Sequence, residues 1–277
     1  MRTPRLVVTD LDGTLLSSER VLDQENWQTL ERLGEGGALR MIATGRSWHS
    51  ANLVLTPEMP IDYLAFSSGA GLVSWATGAL VQGHHLSAAD TEHALQSFAA
   101  LDISCFVQHP VPDNHRFSYW RGSKPPNDFV RRLDRYQEFA TEIRSPMHYA
   151  GTACQLLGVL PPNQLVPFEK AKAMMPRLNV FRATSPLDHE SIWVEVFPLG
   201  VSKAAAANWV ATQHGVAHEH TLAIGNDFND LDLLRWAQTS FVVANAPPDL
   251  RAEFRSVRSN DAGGFSHAVA TWEGERR

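Results

Sequence analysis

Asp10 and Asp12 stand one residue apart at the end of an apolar segment, in the stretch Arg5-Leu-Val-Val-Thr-Asp-Leu-Asp-Gly-Thr-Leu-Leu16. A strand followed by a turn would account for Asp and Gly there, but one acid would suffice for that purpose. Two carboxylates held close together repel each other unless a cation or a shared proton offsets their charge. A metal site is therefore the chemistry that this spacing suggests.

Other reactive residue types follow apolar runs in the same way. Thr44-Gly45-Arg46 follows Leu39–Ala43, Ser67-Ser68-Gly69 follows Tyr63–Phe66, and Gly225-Asn-Asp-Phe-Asn-Asp230 follows Thr221–Ile224. Lys203 stands near the start of a helix that follows the strand Ile192–Phe197, and a helix N-terminus favours an anion. In open parallel sheets, ligands bind beyond the carboxyl ends of the strands, so these segments converge on one edge. Acids, a hydroxyl and a lysine gathered there make a site for phosphoryl transfer.

The elements that must position them alternate. Short buried strands are expected at 5–9, 39–43, 63–66, 221–224 and 241–244, with amphipathic helices at Asn26–Leu33 and Lys203–His214 between them. That alternation implies a largely parallel, doubly wound α/β sheet. The middle of the chain differs. Ser87 with Asp90 reads as a capping box that opens a helix running to Leu101. Strands near 103–108, 155–160 and 179–183 alternate with helices near 129–139 and 164–175. The polar stretch His109–Asn127 reads as an exposed loop. The expected division is a core of residues 1–81 and 189–277, with an inserted α+β module at 82–188.

With 277 residues, 44% hydrophobic and 19% charged, the chain has the composition of a globular protein with a sizeable core. A net charge of -6 argues against a general nucleic-acid binder, which needs a basic face. Two cysteines, Cys105 and Cys154, do not make a secreted disulfide framework, and no apolar run approaches membrane length. The expectation is a cytoplasmic protein with no nucleic-acid or membrane partner. The histidines at 84–85 and at 214, 218 and 220 lack a metal-binding spacing, and Gly34-Glu-Gly-Gly37 reads as a helix C-cap.

Asp10-Leu-Asp-Gly-Thr14, Ala43-Thr-Gly-Arg46, Gly200-Val-Ser-Lys203 and Gly225–Asp230 resemble, in order and spacing, the four motifs of the haloacid dehalogenase superfamily. The closest resemblance is to its Cof-type phosphatases, which carry a type IIB cap between the second and third motifs. The resemblance implies a Rossmann-like core, Mg²⁺ as cofactor and a small phosphorylated metabolite as substrate. It makes Asp10 the nucleophile that forms an aspartyl-phosphate, and Asp12 the acid and base. Thr44 would donate to a phosphoryl oxygen, and Lys203 would neutralise transition-state charge. Gly45, Arg46, Ser68 and Asn229 become candidate substrate contacts, with Arg46 either approaching the phosphate or pairing with an acid.

Two positions depart from the family pattern. Ser68 stands where Asn usually precedes Gly-Ala, and Asn226 occupies the usual metal-binding Asp. The candidate metal ligands are Asp10, Asp12, Asn226, Asp227 and Asp230: Asn226 binding directly, Asp227 sharing the site or acting from further out, and Asp230 orienting the loop or Lys203. The implied activity is a Mg²⁺-dependent phosphomonoesterase on small metabolites, sugar phosphates first. A phosphomutase with the same machinery, or a phosphometabolite-binding regulator without turnover, remains open at this level.

Overall fold

The computed structural model describes residues 3–276. In chain order its strands are β1 (Arg5–Thr9), β2 (Ala38–Ala43), β3 (Tyr63–Phe66), β4 (Gly71–Ser74), β5 (Ala79–Gly83), β6 (Cys105–Gln108) and β7 (Phe117–Trp120). They continue with β8 (Ala140–Glu142), β9 (Gln155–Leu160), β10 (Leu178–Thr184), β11 (Ile192–Pro198), β12 (Thr221–Gly225), β13 (Thr239–Val243) and β14 (Arg255–Val257). The helices are α1 (Gln24–Glu35), α2 (Trp48–Ala51), α3 (Ala88–Ala100), α4 (Asn127–Arg135), α5 (Leu165–Met174), α6 (Lys203–Gln213), α7 (Leu231–Trp236), α8 (Pro248–Glu253) and α9 (Gly264–Glu275).

The chain forms two units, one of residues Met1–Arg46, Ser50–Gln82 and Ser202–Arg277, the other of Gly83–Val201 with the short segment Ser47–His49. The first is built on an eight-stranded sheet in the order β14-β13-β12-β1-β2-β3-β4-β5. From β14 to β3 the neighbours run parallel, and β4 turns back antiparallel on β3. The chain leaves β1 toward β2 and β3 on one side and returns later through β12 and β13 on the other. The order thus reverses at β1, and ligands of doubly wound sheets bind beyond strand ends at such a reversal. Asp10 is the first residue beyond β1.

Buried β-branched and aliphatic residues fill these central strands because both faces of the sheet are covered. On one face α6 and α7 pack Ala206, Ala207, Val210, Leu233 and Leu234 against Leu6, Val8, Met41 and Ala223. The small alanines of α6 let its backbone come close to the sheet. The other face is covered by α1 and α9, whose Leu30, Leu33, Phe265 and Trp272 are all buried. Asn26, wholly buried, ties this layer to the loop after β1: its amide donates to the Leu15 carbonyl and accepts from the Ser266 hydroxyl.

The second unit carries a six-stranded sheet in the order β10-β11-β9-β6-β7-β8, antiparallel except for the β7–β8 pair. One face packs α3 and α5 through Leu95, Phe98, Phe168 and Ala171. The other packs α4, with Phe129 and Leu133 over Phe106, Leu157 and Trp193. Ser87 caps α3 as expected, accepting the Asp90 N–H.

Two expectations need correction here. The sequence assigns residues 192–198 to the core, but β11 pairs along its length with β10 and with β9, so the second unit runs on to Val201. A strand that is buried along nearly its whole length does not announce which sheet it joins. The supposed loop 109–127 contains β7, whose Phe117 faces the core beside Phe106; its aromatic residues outweigh the prolines and charges around them.

Candidate active site

Asp10 leaves β1 extended, its N–H bonded to the Ile224 carbonyl of β12, and the chain then makes one wide turn over Leu11–Leu15. Gly13 sits in that turn at φ +71, where a side chain would be strained. A Cβ there would also lie 2.7 Å from Asn226 Nδ2. The backbone conformation calls for glycine, and the near approach shows that Asn226 lies against the turn that carries Asp12. The Thr14 hydroxyl donates to Asn226 Oδ1 at 3.0 Å, and Asn245 Nδ2 donates to the Gly13 carbonyl at 2.8 Å.

Lys203, wholly buried, reaches the same place from the first turn of α6. Its ammonium donates to Asp10 Oδ1 at 2.6 Å and to Asp230 Oδ1 at 2.5 Å. Burial works to lower the lysine pKa, but Asp10 and Asp230 outweigh it and hold the ammonium charged. Two buried carboxylates thus share one cation. The remaining negative charge shows in Asp10, whose pKa burial pushes up to about 8, with Asp230 and Asp12 adding to the shift and Lys203 opposing it.

Asp230 spends its second oxygen on the backbone, accepting the N–H groups of Asn226 at 2.8 Å and Asp227 at 3.0 Å. These bonds are those of the orienting role expected of Asp230 toward Lys203 and the loop. Asp227 faces the opposite way, accepting the backbone N–H of Asp230 in a reciprocal cap of the short turn Phe228–Asp230. Asn229 lies half-buried in the same turn.

The second motif is clasped by the loop after β3. Thr44 is buried; its N–H bonds to the Ala65 carbonyl, and its hydroxyl oxygen accepts the Arg46 N–H at 3.1 Å, leaving the hydroxyl hydrogen to donate elsewhere. The carbonyls of Thr44 and Arg46 accept the N–H groups of Ser68 and Ser67. Ser67, Ser68 and Gly69 all have positive φ, and a Cβ on Gly69 would lie 2.3 Å from the Ser202 carbonyl just before Lys203. This strained turn therefore packs the second motif against the third. Arg46 forks across Asp12, Nε to Oδ2 at 2.6 Å and Nη2 to Oδ1 at 2.7 Å, and its remaining nitrogen Nη1 bonds to the Ser50 carbonyl. Of the two roles open to Arg46, pairing with an acid is the one seen.

Asp10, Asp12, Arg46, Lys203, Asn226 and Asp230 are thus linked by contacts at one strand edge, with Thr44, Gly45 and Ser68 on the clasped loops beside them. Sequence reasoning gave no individual role to Thr14 or Gly69 and missed Asn245. Asn245 follows β13 at the same carboxyl edge, so the rule about strand ends could have found it.

The chain matches the family model of haloacid dehalogenase-like hydrolases over residues 7–269. It belongs to that family. It is a phosphatase-type member of the family. Pyridoxal phosphate phosphatase YbhA of Escherichia coli K12 is 26% identical over 271 residues, covering 92% of this chain and 93% of its own. The HMP-PP phosphatase of Escherichia coli O6:H1 is 29% identical over 251 residues, covering 90% and 87%. The fold is shared with the subclass IIB sugar phosphatase BT4131, at a TM-score of 0.75 and 18% identity, over 97% of this chain and 99% of that one.

Among the described residues no three His, Cys, Asp or Glu side chains gather as a metal group. The donors that do gather are a carboxylate of Asp10, the amide of Asn226 and the backbone beside Gly13. These are oxygen donors with an uncompensated buried negative charge, and that combination fits a hard divalent cation such as Mg²⁺.

Proposed function

We propose that the protein is a Mg²⁺-dependent phosphomonoesterase acting on a small phosphorylated metabolite through an aspartyl-phosphate on Asp10. The observation that carries this reading is the buried Lys203 ammonium bridging Asp10 and Asp230, next to a second acid, Asp12, at the reversal point of the sheet. A merely structural ion pair would not need the extra carboxylate or the raised Asp10.

Lys203 holds Asp10 Oδ1, which leaves the other oxygen to attack phosphorus. As that bond forms, the bond from phosphorus to the substrate oxygen breaks, and Asp12 gives its proton to the leaving alkoxide. Water then attacks the aspartyl-phosphate while Asp12 takes its proton, releasing phosphate and restoring Asp10. Thr44 donates to a phosphoryl oxygen and Lys203 offsets the charge that accumulates in both steps. The Arg46 fork engages both oxygens of Asp12. The guanidinium must therefore pass to the phosphoryl oxygens before Asp12 can donate a proton, so Arg46 serves both partners in turn. Asp10, Asn226 and the Asp12 carbonyl would hold Mg²⁺, whose charge, when bound, lowers the repulsion between carboxylate and phosphate.

Sugar phosphates are the proposed substrates, with pyridoxal phosphate and HMP-PP, named for the relatives, as comparisons. A phosphate-release screen across these with Mg²⁺ tests the reading. Wild type should turn over repeatedly on at least one, and Asp10→Asn should lose at least about 10³-fold in kcat while remaining folded. Sustained turnover by Asp10→Asn would overturn the covalent mechanism.

A further inference from the structure

Lys203 has a long, flexible side chain, yet its ammonium meets two carboxylates at 2.5 and 2.6 Å with no exposure to solvent. Such contacts hold only if the backbone at the root of that side chain is itself fixed. The Asp232 carboxylate lies at that root. Its Oδ2 accepts the Ala204 N–H at 3.2 Å, and the Ser202 hydroxyl hydrogen-bonds to the same group. Ser202 in turn caps α6 by accepting the Ala205 N–H at 3.1 Å. The residues on either side of Lys203 are therefore both tied to one carboxylate. Asp232 stands only two residues after Asp230, at the start of α7. The first turn of α7 thus sends two acids to α6: Asp230 to the ammonium and Asp232 to the backbone from which the lysine springs.

We propose that Asp232 is a positioning residue for Lys203, fixing the start of α6 so that the ammonium stays on Oδ1 of Asp10, beside the attacking oxygen, as charge builds. The proposal rests on the phosphatase reading for what Lys203 does, but not for the geometry. Interactions realised mainly in the transition state lower kcat when they slip, and a displacement of about 1 Å can cost about 10²-fold.

The test uses the full chain with Mg²⁺ and p-nitrophenyl phosphate. Asp232→Ala should lower kcat about 10- to 100-fold with KM within about 2-fold, while Asp232→Asn, which keeps an oxygen acceptor, stays within about 3-fold of wild type. Vanadate, which can take the five-coordinate form of the transition state, should bind Asp232→Ala more weakly by a similar factor, with inorganic phosphate unaffected. An undiminished kcat in Asp232→Ala would overturn the proposal. So would equal weakening toward vanadate and phosphate, which would mark general loss of structure. If Asp232→Ala does not fold, Asp232→Glu replaces it, and its longer arm must lower kcat at constant KM. Wild-type turnover separately tests the phosphatase reading, and if wild type is inactive the vanadate and phosphate affinities still decide the role of Asp232.

Discussion

At the scale of single residues the site is defined by a charge imbalance. Asp10 and Asp230 are buried with one ammonium between them, and Asp10 is pushed up to about 8, first by burial. An acid raised on folding binds protons in the native state that the unfolded chain has already lost, so metal-free stability falls as pH rises from about 4 to about 8. In EDTA, the melting temperature should be lower at about pH 8.5 than at about pH 5, and Asp10→Asn should remove most of that difference. Equal slopes for both proteins would show that Asp10 carries no such shift. The same imbalance bears on Asn226, an amide in a place where a carboxylate would complete the cation's neutralisation. One more unit charge about 5 Å away, at an effective dielectric of about 20, is worth about 3 kcal/mol per unit of ion charge before desolvation. Asn226→Asp keeps the acceptor for Thr14. It should tighten Mg²⁺ binding, read by calorimetry, at least about 10-fold. Unchanged affinity would remove Asn226 from the site.

At the scale of elements, what was legible in the sequence was the local part. Strand ends carrying Asp10, Thr44 and Gly225, and the helix starting at Lys203, follow from short apolar runs broken by polar residues, and each lies where expected. Pairings between distant segments were not legible. Nothing local says that Arg46 forks Asp12, that Asp227 caps the turn Phe228–Asp230, or that β11 joins the second sheet, because each depends on what a fold places across from it. The turn Ser67–Gly69 is the clearest case. Its three positive φ values cost backbone strain, about 1–3 kcal/mol at each non-glycine residue, and the fold tolerates this because the turn holds Thr44 and Arg46 and packs on Ser202. Gly69→Ala meets both the strain and a backbone carbonyl 2.3 Å from the new Cβ. It should lower stability by about 2–4 kcal/mol in denaturant titration and reduce kcat as the second and third motifs are pushed apart. A variant with native stability and kcat would show that this contact is easily relieved.

At the scale of the whole molecule, the two units differ in how their chains are assembled. The first joins residues before Gln82 to residues after Ser202, so β1 finds its neighbour β12 more than two hundred positions along the sequence. The second, apart from Ser47–His49, is one continuous stretch, Gly83–Val201, with apolar layers of its own on both faces of its sheet. Continuous chain and a private core are what independent folding needs. The antiparallel ladder also closes loops shorter than those the first unit must close, and loop closure is the entropy that non-local pairing has to overcome. A fragment of residues 83–201 should therefore fold alone and unfold cooperatively, with strand and helix content by circular dichroism and dispersed amide resonances. The complementary chain, joined across the excision, should keep the Asp10–Lys203–Asp230 cluster, since every contact of that cluster lies in the first unit. Under the proposed function it would also retain metal-dependent vanadate binding. A fragment that stays unfolded would refute the first expectation, and an excised chain without metal-dependent vanadate binding the second.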